Sequence, residues 1–416
     1  MTPSFLRNRS IPGRLALGLA LLPACVFGDA HSRSIVRDAG PSDDADVVDA
    51  APIDTLRRAE VVAALANLVF GELVALETSL ASLDVAVAAY AAAPTDVGLR
   101  AAARTAWRDA MVVVQRLEVM QFGPAAHPAS ALGGTGLRDE YYAWPLISRC
   151  GVDQRIVSGG YAPPSTLELA PINVRGLDVL EELLFDEATG NHCDSFDPIN
   201  ATGTWAAVPD LAARRADYAA SVASIAHAEA TALRVAWDPA GGDFVAQLTT
   251  AGSAGSVYPS AQEALNAISN AMFYLDTQTK DMKVGVPAGI ALGCAETSCP
   301  DAVEAALSDA SLAHIRANLV GFELLLTGGE GAALGFDDLL NDLGQSALVA
   351  SMVSEIDGAI AAIDAVTLPL EVLVDAEPEA AAALYDELKH VTDLLKTQFL
   401  ALLDLDRPMS AAGDND

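Results

Sequence analysis

The chain reads as an all-α protein made of two helical-bundle halves. Three observations predict this. Ala, Leu and Val dominate the 416 residues and aromatics make up only 6%, a composition that favours helix. Apolar residues recur every three or four positions through long runs, and Gly and Pro punctuate the gaps between runs. The two halves also show a similar helix order, with EELLF (181–185) and FELLL (322–326) each following an arginine, Arg175 or Arg316. That likeness reads as a weak internal duplication.

Residues 1–24 carry Arg7, Arg9 and Arg14 ahead of an apolar run from 15 to 22, the pattern of a secretory signal and too short to span a bilayer. Leu22, Pro23, Ala24 and Cys25 resemble a bacterial lipobox, with Cys25 as the lipidated residue. Residues 25–52 are acidic, small and aperiodic, and read as a disordered tether. The first half is expected over 53–238. It opens with a long helix whose apolar side carries Leu65, Leu68, Val69, Leu73, Leu76 and Leu80. A second helix, from about 97, ends at Gly123 and Pro124. Residues 123–171 read as a long irregular connection, a length that is often functional. A short helix at 173–185, a loop around Cys193 and a helix at 210–237 complete the half. Residues 239–242 mark a seam.

The second half is expected over 243–408. A helical run at 260–286 leads to a cysteine loop. The next helix starts with Ser311 as its cap and stops at Gly328 and Gly329. Helices at 335–344, 346–366 and 378–405 follow, then a frayed tail.

The net charge of −32 repels polyphosphates and excludes nucleic acid as a partner, while favouring cations. Four cysteines besides Cys25 suggest two disulfides in an oxidising compartment. Of the three connectivities, Cys150–Cys193 and Cys294–Cys299 is favoured, because the second pair brackets four residues and the first lies within one half.

Several carboxylates point towards the expected core. Glu118 continues the stripe Trp107, Met111, Val114, and Glu181 lies between the directions of Leu177 and Phe185. Arg175, Asp178 and Glu182 fall opposite that sector or at its edge. Glu323 flanks the stripe Leu319, Phe322, Leu326 above Arg316. An unpaired buried carboxylate costs on the order of several kcal/mol, so such groups need arginines, backbone donors or a metal. For Glu323 the expected partner is Arg316. For Glu118, Asp178 and Glu181 a site is expected, covered by the connection 123–171. Asp178 has the alternative of an exposed pair with Arg175.

GLDVLE (176–181) resembles the GxHxxE motif of the imelysin family, also called insulin-cleaving membrane protease-like proteins. WRDAMVVVQRLEVMQFGPA, LRDEYYAWPLISRCGVDQ, TKDMKVGVPAG and SLAHIRANLVGFELLLTG resemble further family segments, in order, and together they cover about 55–405. The resemblance implies two bundle-like α halves with a site in the groove between them, in an exported bacterial protein. Relatives are linked to iron uptake, surface lipoproteins and a claimed metallopeptidase activity. Carried over by position, Gly176, Asp178 and Glu181 occupy the motif, with Asp178 where the family has histidine.

That departure disfavours a peptidase zinc site, which draws on imidazole. The chain has no HExxH, and its six histidines show no zinc spacing and read as surface or capping residues. An Asp/Glu pair suits a hard divalent or ferric cation. No GxSxG, P-loop or dinucleotide fingerprint is present. The expected protein is therefore an exported lipoprotein, at the periplasm or cell surface, anchored to the outer membrane. It would bind a metal ion or small ligand through Glu118, Arg138, Trp144, Arg175, Asp178 and Glu181, with a receptor or porin-like protein as its partner in iron acquisition. A metal-dependent peptidase and a non-catalytic partner-binding module are the alternatives.

Overall fold

Asp54 opens the first helix: its carboxylate accepts from Leu56 N at 3.0 Å and closes an otherwise open N-terminus. This computed structural model describes residues 54–329, 331 and 333–408; the expected signal, Cys25, the tether and residues 409–416 lie outside them. Among the described residues every regular element is helical.

Helix α1 (Thr55–Ala92) presents Leu65, Val69, Leu73, Leu76 and Leu80 inward. α2 (Val97–Glu118) is capped by Asp96, which accepts from Gly98 N at 2.8 Å and Leu99 N at 3.0 Å. The connection 123–171 is more ordered than its Gly and Pro content suggests. It contains α3 (Leu137–Tyr141), α4 (Arg149–Ser158) and α5 (Pro164–Glu168). Then come α6 (Leu177–Phe185), α7 (Pro198–Ala201), α8 (Leu211–Trp237), α9 (Phe244–Thr249) and α10 (Ala261–Met272). The run expected as one helix over 260–286 changes pitch after α10, and Leu275–Gly285 is π-helical. α11 (Ser311–Thr327) ends at Gly328, whose φ of +73° suits a residue without Cβ. Ser311 does not cap it. Its hydroxyl donates to the Glu304 carbonyl instead.

α12 (Phe336–Asp342), α13 (Ser346–Ala365), α14 (Leu370–Ala376), α15 (Pro378–Leu394) and α16 (Leu400–Leu403) follow. The last expected run is interrupted by a π-helical turn, Leu395–Phe399.

α1 packs along α2 and α8 and also meets α9, α10 and α12. α6 lies among α2, α4 and α8, and α11 lies across α2, the π-helical stretch and α13. All nine residues of α6 are buried, so Asp178 and Glu182 do not face solvent as a wheel of one helix suggests. The second cation–carboxylate expectation also changes. Arg316 pairs with Asp364 at 3.0 Å, while Glu323 is half-buried and its carboxyl is pushed up by burial and by Asp357. Both expected disulfides are present, Cys150–Cys193 and Cys294–Cys299.

Candidate functional site

The inner face of α2 carries Gln115 and Glu118 one turn apart, both buried. From α3, Arg138 reaches Glu118 with two hydrogen bonds, one of them Nε to Oε1 at 2.9 Å, and its guanidinium lies 5.0 Å from the Tyr142 ring centre. Burial works against the charge of Arg138, yet the adjacent Glu118 carboxylate holds it above its ordinary value.

A second ion pair lies beside the first. Lys283, from the π-helical stretch, sits 3.0 Å from Glu304 Oε2 and donates to Gln115 Oε1 at 2.6 Å and Asn318 Oδ1 at 3.0 Å. Glu304 also accepts from Gln115 Nε2 at 3.0 Å and from the Tyr142 hydroxyl. His314 Nδ1 lies 3.2 Å from its other oxygen. Burial penalises the Glu304 charge, but Lys283 and His314 outweigh it and hold the carboxyl below the usual range. Burial lowers Lys283 against the pull of Glu304. The Lys283 ammonium is 5.4 Å from the Trp144 ring centre and 5.3 Å from that of Tyr274, so two aromatic faces wall the cation.

α6 supplies the motif carboxylates. Gly176 precedes it at φ +105°; a Cβ there would come within 2.9 Å of Asp178 Oδ1 and 3.2 Å of Tyr141 O. Trp107 Nε1 donates to Leu177 O at 2.9 Å and ties this helix start to α2. Asp178 is buried, and neither of its carboxylate oxygens has a hydrogen-bond partner. Burial pushes its carboxyl up to about 7, against the first-turn amides and the charge of Arg138. Glu181 accepts from Ser308 N at 2.9 Å; burial, aided by Glu182 and Glu304, pushes it up to about 7 as well. His314 Nε2 is likewise buried without a partner, as is the Tyr274 hydroxyl. Several polar atoms of this charged interior thus lack a protein hydrogen bond and call for a further partner.

Of the residues singled out in the sequence, Glu118, Arg138 and Trp144 join the two-ion-pair network. Asp178 and Glu181 adjoin it through Arg138 and Glu304 respectively. Arg175 turns away: it pairs with Glu140 and donates to Ala170 O at 3.2 Å. Both oxygens of Glu118 are taken by Arg138. Gln115, Tyr142, Tyr274, Lys283, Glu304, His314 and Asn318 were not singled out. His314 is fully buried rather than superficial. Most of these lie in the segments quoted above, but none of those segments shows which residues across the chain they meet.

Residues 71–397 match the family model described as imelysin. A protein described as an iron-regulated protein A precursor from Parabacteroides distasonis superposes with a TM-score of 0.65 at 20% identity, covering 84% of this chain and 97% of its own. An imelysin-like protein from Psychrobacter arcticum superposes with a TM-score of 0.65 at 19% identity, covering 86% and 98%. At these identities the likeness is one of fold. No curated protein matches the chain.

Proposed function

The chain belongs to the imelysin family, and we propose that it is an exported protein that binds a hard metal cation at Asp178 and Glu181, in the service of iron handling. The observation that carries this is Asp178: two buried carboxylate oxygens that neighbouring backbone amides approach without forming a full hydrogen bond, one helical turn from a second buried carboxylate. Burying a charge that the protein does not pair is costly, and a cation that prefers oxygen donors compensates it. Glu118 is spoken for by Arg138, so its role is to fix Arg138 and leave ligation to the α6 pair. Aspartate in the motif position shifts the donor set from nitrogen to oxygen, which favours Fe³⁺, Mn²⁺ or Ca²⁺ over catalytic zinc. The iron-regulated description of one structural relative supports the iron reading. Cys25 and the two disulfides support export and a lipid anchor.

Isothermal titration of the metal-stripped protein with Fe³⁺ (as a soluble chelate), Mn²⁺, Ca²⁺ and Zn²⁺ tests it. The equivalent of hard cation held at Asp178 and Glu181 should be lost in the Asp178→Asn/Glu181→Gln double variant, whatever ion the chain takes up elsewhere. Absence of heat with every ion removes the proposal.

A further inference from the structure

Next to Glu181 in sequence, but beside the Cys150–Cys193 disulfide, lies a second set of donors. Glu182 and Asp186, at the C-terminal end of α6, and His192 each offer an atom within 4.8 Å of the others. We infer that Glu182, Asp186 and His192 form a separate binding site for a divalent first-row transition-metal ion, with Asp153 orienting the imidazole.

The geometry of His192 carries this. Asp153 Oδ2 accepts from the His192 amide at 2.7 Å and lies 3.1 Å from Nδ1. A carboxylate oxygen can only accept, so Nδ1 carries a proton, and a ring with no second proton presents a bare Nε2. Nε2 lies 3.3 Å from Glu182 Oε1. That oxygen is buried and has no hydrogen-bond partner. At this distance a positive centre must stand between the two atoms, and we assign it to a metal ion rather than to a second ring proton. Two ligand atoms each about 2.1 Å from a tetrahedral ion stand about 3.4 Å apart, which matches the gap. A carboxylate behind the imidazole is the usual support of a metal-bound histidine.

The other charges leave room for the ion. Arg149, itself half-exposed, approaches Glu182 Oε2 at 3.2 Å, on the far oxygen. Arg215 donates to Asp186 Oδ2 at 3.0 Å and Ala188 N to Oδ1 at 2.8 Å. A carboxylate has about four acceptor directions, so two remain on Asp186. Three carboxylates against two guanidiniums keep the pocket net negative when His192 is neutral. The His192 side chain is 33% exposed and gives an ion a path from solvent. The disulfide at Cys193 fixes the neighbouring backbone.

The test uses the full disulfide-bonded chain, metal-stripped, carrying Asp178→Asn/Glu181→Gln so that the α6 start is silent. Zn²⁺ affinity is read by competition with a chromophoric chelator, and Co²⁺ by its visible absorption. One equivalent should bind. His192→Gln, which keeps a donor towards Asp153 but has no ring nitrogen, should abolish it, and Asp153→Asn should weaken it about tenfold or more. Thermal melts confirm that each variant is folded. No Zn²⁺ binding in the silenced background, or unchanged affinity in His192→Gln, overturns the assignment. If instead a proton fills the gap, His192 shows an imidazolium signal by ¹⁵N NMR that saturating Zn²⁺ does not move, and the assignment falls.

Discussion

At Asp178 the burial of one carboxylate sets how stability varies with pH. Its carboxyl stands at about 7 in the folded chain, above the ordinary aspartate value, because burial outweighs the first-turn amides and Arg138. The folded state therefore holds a proton that the unfolded chain has already released, from about pH 4 up to about pH 7. Stability falls as pH rises through that window, and the whole penalty is present above it. Asp178→Asn removes the penalty. In the metal-free protein it should raise the melting temperature at pH 8, by on the order of 1–3 kcal/mol of stability, and leave it nearly unchanged at pH 4. Calorimetry at the two pH values checks this; an equal effect at both would mean that the carboxyl titrates normally. The inward position of Glu118 and Glu181 was legible from helical spacing alone. That of Glu182 was not, since a wheel assumes one buried side and α6 is enclosed by α2, α4 and α8. Glu304 gave no signal, because it lies outside any periodic run and meets Lys283, His314 and Tyr142 only through the tertiary fold.

Among the elements, α2 and α11 form the frame on which the network hangs. Asn318 of α11 donates to Gln115 O at 2.7 Å and to Gln115 Oε1 at 3.0 Å, so backbone and side chain of α2 are both held. This needs close helices, and Gly321 permits it: a Cβ there would come within 2.2 Å of Arg116 O. That clash is with backbone, which cannot rotate away. Gly321→Ala should cost about 3 kcal/mol or more, although alanine is the better helix former. Gly71→Ala in α1, where nothing lies within 4 Å of the added methyl, should stabilise by up to about 1 kcal/mol. Urea denaturation of the pair separates packing from propensity; matching shifts would sink the close-approach argument. The helices themselves were readable from their apolar spacing and from the Pro and Gly that end them. The change to π pitch at 275–285 was not, because TKDMKVG has ordinary helical composition and the wider turn shows only in its hydrogen bonds.

Over the whole molecule, the two disulfides contribute unequally because they close loops of different length. Cys150 and Cys193 are 43 residues apart, and the loop between them contains α5, α6 and the carboxylates Asp178, Glu181 and Glu182. Cys294 and Cys299 are 5 apart. Loop-closure entropy assigns about 4 kcal/mol to the first and about 2 kcal/mol to the second. The pairing was legible in the sequence from cysteine number and spacing, but not its consequence, since only the fold shows that the longer loop carries α6. The Cys150→Ser/Cys193→Ser variant should therefore lose more stability than Cys294→Ser/Cys299→Ser in chemical denaturation. It should also lose the Zn²⁺ equivalent at His192, one residue from the bridge, while the short-loop variant keeps it. Equal destabilisation by the two variants would mean that residual structure in the unfolded chain, rather than loop length, governs what the bridges contribute.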